Sequence, residues 1–294
     1  MKENKMLNQK DLFPKFIAEV SSNHSQDIKR AKEFIQVSAD IGCYGVKFQL
    51  FKIDQLFAPE ILAKSELHRN RKQWELPLEF IPELSQFAHN LGIKFSCTPF
   101  YLDAVQELEP YVDFYKIASY ELLWDDLIRE CAKTNKDLVL STGMATLDEI
   151  AHAVDIFRQH SQSNLILLHA ISGYPTPIQE VNLKAIETLR NSFQCEVGLS
   201  DHSVSSDVIV RAVHKWDASM IEFHLDLDEL GEEFQAGHCW LPNQIKNTIN
   251  SIKNGFLADG TGEKVPAPSE KSDRLWRADP SDGLRPFKEI RELF

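Results

Sequence analysis

The sequence has no long hydrophobic run: no window approaches the ~18 uncharged apolar residues of a membrane-crossing helix. Its start, Met1 to Lys10, is polar and mixed in charge and lacks the apolar core of a signal peptide. Cysteine is sparse. The five residues (Cys43, Cys97, Cys131, Cys195 and Cys239) are odd in number, widely spaced and never in a C-x-x-C pair. That argues against a disulfide framework and a cysteine-rich structural zinc site, and the expected compartment is the reducing cytoplasm. Positive charge is in deficit, with 32 basic against 44 acidic side chains and a net charge of −12. A broad nucleic-acid face is therefore not expected, while a local basic pocket for a small anion is still compatible with the sequence. Three catalytic signatures are also missing: the G-x-G-x-x-G dinucleotide turn, the G-x-S-x-G nucleophile elbow and the H-E-x-x-H zinc helix.

What is present is an alternation of short β-branched or aromatic runs with longer segments of helical period. A length of 294 residues admits two ordinary domains or one α/β barrel. Eight strands are predicted: Phe16–Val20, Tyr44–Gln49, Lys94–Cys97, Asp113–Ile117, Leu138–Ser141, Leu165–Ala170, Cys195–Leu199 and Met220–His224. Helices are predicted over Ile28–Ile41 behind an Asp27 cap, Leu78–Asn90, Leu147–His160 behind a Thr146/Glu149 capping box, Val204–Trp216 and Asn243–Asn254. Eight strand–helix repeats with continuous apolar strands fit a closed (β/α)₈ TIM barrel over residues 1–258. Residues 259–294, rich in proline, glycine and charge, read as an extended tail with no separate domain. Phe51–Pro77 is a long charged stretch between the second and third strands, either a lid or a solvated insertion.

A barrel carries its chemistry at the C-terminal ends of its strands. Read in order, those ends offer Glu19; Lys47 and Gln49; Ser96 and Thr98; Lys116, Ser119 and Glu121; Ser141 and Thr142; His169 and Ser172; Ser200, Asp201 and His202; Glu222 and His224. Lys47 and Lys116 lie in otherwise apolar strands, where a buried ammonium needs a compensating anion. With the hydroxyls of Thr98, Ser119, Ser141 and Ser200 around them, they point to an anionic small-molecule substrate. His202 and His224 end neighbouring strands and suit either a divalent transition metal or a hydrogen-bond network, with Glu222 and Asp201 placed to orient them. His89, His152, His160 and His214 read as exposed helix residues.

The words around these residues resemble the sialic acid synthase family. They are Phe-Ile-Ala-Glu19-Val-x-x-Asn23-His24, Val-Lys47-Phe-Gln49, Phe-Ser-Cys-Thr98-Pro-Phe and Tyr-Lys116-Ile-Ala-Ser119-Tyr-Glu121, then Leu-Ser141-Thr-Gly-Met144-Ala-Thr, Tyr174-Pro-Thr-Pro, Gly-Leu-Ser200-Asp-His202 and Ile-Glu222-x-His224. They run colinearly from about Phe16 to His224, with a weaker continuation through Gly260-Thr-Gly-Glu-Lys264 to Glu270. The resemblance implies condensation of phosphoenolpyruvate with an amino sugar such as N-acetylmannosamine, giving a nine-carbon 2-keto acid and phosphate. It implies a divalent metal, Mn²⁺ or Mg²⁺, held by His202 and His224. It also implies a phosphoenolpyruvate pocket built from Lys47, Thr98, Lys116, Ser119, Ser141 and Ser200, with Ser172 and Tyr174 nearby. In such a reaction carboxylates stabilise an oxocarbenium-like centre and take a proton from water, a task assigned here to Glu19 and Glu121, with Gln49 aligning the acceptor.

Three departures from the family pattern shape the expectations. The Gly-Pro-Asp-His-type loop after the last strand is replaced by Glu232-Glu-Phe-Gln-Ala-Gly-His238-Cys-Trp240, which has no aspartate and leaves His238 as a substitute. Tyr120 replaces the glycine of the usual Ser-Gly-Glu. The small C-terminal antifreeze-like domain that supplies an arginine to a partner subunit's sugar site is expected to be lacking, with Arg274, Arg277 and Arg285 as candidate replacements. Two other readings use the same residues: a non-catalytic binding barrel, and a synthase subunit capped in trans by another chain. A homodimer through the barrel is the expected assembly.

Overall fold

A computed structural model describes residues 13–293; the Met1 to Lys10 segment lies outside them. Eight parallel strands form the core: β1 Lys15–Glu19, β2 Gly45–Leu50, β3 Lys94–Pro99, β4 Phe114–Ile117, β5 Leu138–Ser141, β6 Leu165–Ala170, β7 Glu196–Asp201 and β8 Met220–Leu225. Each pairs with the next in chain order. β8 then pairs back onto β1, with Glu19 opposite His224, and closes the sheet. The (β/α)₈ barrel read from the sequence is the fold. A two-residue strand, β9 Cys239–Trp240, adds to β8 and was too short for periodicity to reveal.

The strands are buried on both sides, and so their sequences are apolar without alternation: all six positions of β6 are buried. Inside the barrel Ile17, Phe114, Val139, Ile166, Leu168 and Met220 pack together as one cluster. The helices largely match the sequence reading. Ile28–Asp40 is capped by Asp27, whose side chain accepts from the amides of Lys29 and Arg30. Leu147–His160 opens on the Thr146/Glu149 capping box. Three helix starts differ from expectation, one of them, Pro242 for Asn243, by a single residue. The α-helix expected from Leu78 begins at Ile81, because Pro82 belongs in the first helical turn and a 3₁₀ turn over Leu78–Phe80 precedes it. The helix expected from Val204 begins at Ser206, since Val204 sits in the left-handed region at φ 52°.

The Phe51–Pro77 stretch folds into short helices (Ile53–Leu56, Pro59–Lys64, Glu66–Asn70) and a turn over Arg71–Trp74. It is tied at its base by Glu75, whose side chain accepts from the Ile53 amide at 2.7 Å. Gln26, in the loop after β1, tethers it further by donating to the carbonyls of Lys72 and Glu75.

The chain divides into two compact units, Met1–Lys253 and Asn254–Phe294. Within the second, 3₁₀ turns at Pro268–Glu270 and Asp273–Trp276 are followed by a helix over Lys288–Arg291. It has its own ordering contacts, with Arg291 paired to Asp282 and the Arg277 guanidinium over the Phe287 ring.

Close strand packing fixes one glycine. A Cβ at Gly198, in β7, would lie 2.2 Å from the Met220 carbonyl oxygen and 2.8 Å from Leu168 Cδ2. Gly198→Ala is expected to lower the free energy of urea unfolding by about 2 kcal/mol or more. Gly173→Ala, whose Cβ would meet nothing closer than 3.9 Å, is expected to change it by less than about 0.5 kcal/mol.

Candidate active site

A cavity of about 340 Å³ opens at the C-terminal ends of the strands. Of the residues singled out from the sequence, Glu19, Lys47, Gln49, Lys116, Ser119, Ser141, Tyr174, Ser200, His202 and His224 line it. Thr98, Glu121 and Ser172 do not line it. Thr98 is fully buried and its hydroxyl accepts from Lys47 Nζ at 3.3 Å. Three other strand-end groups serve the scaffold. Ser96 donates to the Phe114 carbonyl, Thr142 to the Leu168 carbonyl, and a His169 ring nitrogen pairs with the Val181 carbonyl.

Four charges occupy the centre. Lys47 pairs with Glu19, and Lys116 lies 3.2 Å from Glu222, which is also 3.9 Å from Lys47. None of the four residues is more than 4% exposed. The anions that the strand lysines required are thus protein carboxylates. Burial pushes the Glu222 carboxyl up, but the charges of Lys116 and Lys47 outweigh it and hold it well below the usual range. For Lys47 burial wins: with the neighbouring Lys116 charge it brings the ammonium down to about 8, against the pull of Glu222. Glu19 is further braced at its Oε1, which accepts from the Ser21 amide at 2.7 Å and from Gln49 Nε2 at 3.2 Å.

Beside these charges lies a wall of small hydroxyls. Ser200 donates to Glu222 at 3.1 Å, and Ser119 Oγ accepts from the Gly143 amide at 3.0 Å. The side-chain oxygens of Ser141 and Ser172 are buried without a hydrogen-bond partner. A Cβ at Gly143 would fall 2.5 Å from Ser172 Oγ and 2.8 Å from Ser119 Oγ, so only glycine lets these two hydroxyls approach the β5 turn. Buried hydroxyls left unpaired are costly, and an oxygen-rich anion bound here would satisfy them. Glu121 is similarly placed: its Oε2 is buried without a partner. Burial raises its carboxyl to about 7, only partly countered by the charge of Lys116.

Three histidines stand around Tyr174. Ring centroids are 5.4 Å apart for His202–His224 and 5.0 Å for His224–His238, and Tyr174 lies 4.2 Å from His202 and 5.0 Å from His238. His202 Nδ1 is 2.8 Å from the Ile171 carbonyl, which only accepts, so Nδ1 carries the proton and Nε2 keeps its lone pair. Burial first, then the neighbouring His224, brings His202 down to about 3 and keeps it neutral. His224 Nδ1 faces Glu233 Oε2 at 2.7 Å, the carboxylate–histidine arrangement that frees the other ring nitrogen for a metal. Donor atoms of His224, Glu233, His238 and Cys239 all lie within 4.8 Å of one another. Imidazoles backed by a carboxylate fit a divalent transition metal.

The residue that orients His224 is therefore neither Glu222, which serves the lysines, nor Asp201. Asp201 instead accepts from Ser203 and from Trp240 Nε1 at 3.0 Å. Glu233 was missed because aspartate was sought in its loop, yet that loop does bring a carboxylate into the cavity, where Ser21 also donates to it. His238, a suggested substitute, lines the cavity as well, and so does Tyr120. Arg71 and Trp74, from the excursion after β2, also line it. Their signal lay in the charged 64–74 segment, but nothing in its periodicity distinguished a pocket wall from a solvated loop.

A model of the NeuB family matches residues 34–264. N,N'-diacetyllegionaminic acid synthase of Legionella pneumophila is 35% identical over 272 residues, covering 86% of this chain and 75% of the relative. Pseudaminic acid synthase of Helicobacter pylori is 32% identical over 270 residues, with 88% and 78% covered. Among solved structures, the N-acetylneuraminic acid synthetase of Leptospira borgpetersenii has a TM-score of 0.78 at 28% identity and covers 92% of this chain and 94% of its own. The family match takes in the ends of β2 to β8, and the chain belongs to the NeuB family of sialic-acid-type synthases.

Proposed function

We propose that the protein condenses phosphoenolpyruvate with an N-acyl hexosamine, N-acetylmannosamine or a related sugar, to give a sialic-acid-like 2-keto acid and phosphate. One observation carries this reading: a single cavity joins buried lysines and the orphaned Ser141 hydroxyl to a histidine cluster and three carboxylates, Glu19, Glu222 and Glu233. Lys47, Lys116, Ser119, Ser141 and Ser200 bind the phosphate and carboxylate of phosphoenolpyruvate, with Thr98 positioning Lys47 and Ser172 and Tyr174 beside them. His202 and His224 hold Mn²⁺ or Mg²⁺, with Glu233 fixing the His224 ring. When bound, the metal supplies Lewis-acid polarisation of the sugar aldehyde.

Carbon–carbon bond formation leaves a cationic centre at C2 of phosphoenolpyruvate. Glu19, held rigid by Ser21, Gln49 and Lys47, supplies fixed negative charge to stabilise it. Water then adds at C2, Glu121 accepts its proton, and the bond from C2 to the phosphate oxygen breaks, releasing phosphate and leaving the 2-keto group. A carboxyl held at about 7 is matched to that exchange near neutral pH. Gln49 lies between Glu19 and Ser21 and aligns the acceptor against them.

Incubation with phosphoenolpyruvate, Mn²⁺ and a panel of N-acyl hexosamines is expected to release phosphate in proportion to the keto acid formed. A chelator is expected to stop it and added Mn²⁺ to restore it. Glu19→Gln and Glu121→Gln are each expected to lower kcat by about 10²-fold or more. No phosphate release with any acceptor contradicts the proposal.

The Glu121 carboxyl gives a pH test that does not need turnover. Its native pKa is raised from 4.5 to about 7, so its contribution to stability is present below the unfolded value and lost as pH rises through 7. Urea unfolding of Glu121→Gln is therefore expected to show a stability gain over the parent that grows between pH 4.5 and 7.5. In the active protein kcat/KM is expected to rise with pH through about 7, as Glu121 ionises.

A further inference from the structure

Three basic side chains other than histidine line the cavity: Lys47, Lys116 and Arg71. The two lysines are neutralised by Glu19 and Glu222. Arg71 is held differently. Its guanidinium lies over the rings of Phe57 and Trp74, at 5.5 and 5.3 Å from their centroids, and its Nε is buried with no hydrogen-bond partner. The aromatic faces stabilise the charge but accept none of its hydrogen bonds in the plane of the fork. A buried guanidinium N–H without an acceptor is costly, and an oxygen placed in the cavity relieves that cost.

The surroundings define the oxygen. Phe51, Ile53, Leu56 and Phe100 line the same cavity, so the forked donor shares it with a set of apolar side chains. An N-acyl amide, with a carbonyl oxygen and a small apolar cap, matches that pairing, whereas a bare hydroxyl leaves the apolar side chains unused. The position of Arg71 agrees. The turn that carries it is fastened through Gln26 to the loop after β1, whereas Ser119 and Ser141 come from the ends of β4 and β5.

We infer that Arg71 is a specificity-determining residue that donates to the acyl-amide oxygen of the acceptor sugar, with Trp74 and Phe57 holding its guanidinium in place; this rests on the condensation proposed above. The excursion after β2 is then the acceptor's recognition wall.

Arg71→Ala and Arg71→Lys are expected to raise the KM for N-acetylmannosamine by roughly 10- to 100-fold, the worth of a hydrogen bond from a charged donor. The KM for phosphoenolpyruvate is expected to stay within about twofold. Lysine keeps the charge but loses the fork, so its failure to rescue distinguishes recognition from general electrostatics. Calorimetric titration of N-acetylmannosamine in the presence of phosphoenolpyruvate reads the same loss without turnover. If phosphate release is absent but sugar binding is weakened in Arg71→Ala, the inference stands and the proposed reaction fails. If release is intact and acceptor KM is unchanged in the variants, the inference is overturned and the reaction stands. A parallel rise in both KM values, or no sugar binding by the parent protein, also overturns it.

Discussion

The structure depends on burying four charges together. Glu19, Lys47, Lys116 and Glu222 come from four different strands, β1, β2, β4 and β8, and each is almost wholly removed from water. A pair or triad of this kind tolerates no missing member, because the remaining charge is left buried and unpaired. The cluster therefore demands a defined strand register. Glu19 stands opposite Lys47 on one side and His224 on the other, and Ser200 stands opposite Glu222. A one-residue slip in any of these strands turns a charge away from the cavity and exchanges it for an apolar side chain. Barrel closure between β8 and β1 is what brings the ends of the chain's first and last long strands into one site.

Much of this was readable in the sequence, and for definite reasons. Strands covered on both faces are continuous apolar runs, so β5 and β6 were found to the residue. Lys47 and Lys116 stood out because a lysine inside such a run needs an anion. What the sequence could not supply was the partner of each charge. The lysines suggested an external anion, and Glu19, assigned to the chemistry, and Glu222, assigned to the histidines, proved to be their counter-ions. Asp201 looked like a histidine partner by its place beside His202, but its carboxylate turns back to Ser203 and Trp240. Which way a side chain turns at a strand end is decided by three-dimensional neighbours and leaves no periodic trace.

The same reason explains the residues that were missed. Glu233 lies in a loop whose pattern departs from the family, so looking for an aspartate there passed over it. Its position follows from β9, whose pairing with β8 places Cys239 opposite His224 and draws the loop over the histidines. Arg71 belongs to an excursion whose short helices bury few residues, so no hydrophobic period marked it. The resulting cavity divides its labour. Lysines and hydroxyls, the histidines with Glu233, and aromatic side chains with one guanidinium all line it. The Lys47 ammonium, already brought low by burial and Lys116, gains from any anion that enters, which couples binding of the charged substrate to the protonation state of the site.

The central claim is that the neutralised lysines and orphaned hydroxyls form the phosphoenolpyruvate pocket beside a metal at the histidines. A crystal structure of the protein soaked with Mn²⁺ and phosphoenolpyruvate tests it most directly. The account predicts phosphate and carboxylate oxygens within hydrogen-bond distance of Lys47, Lys116 and the Ser141 hydroxyl, with manganese density at His202 and His224. Phosphoenolpyruvate bound elsewhere, or manganese away from those two histidines, contradicts it.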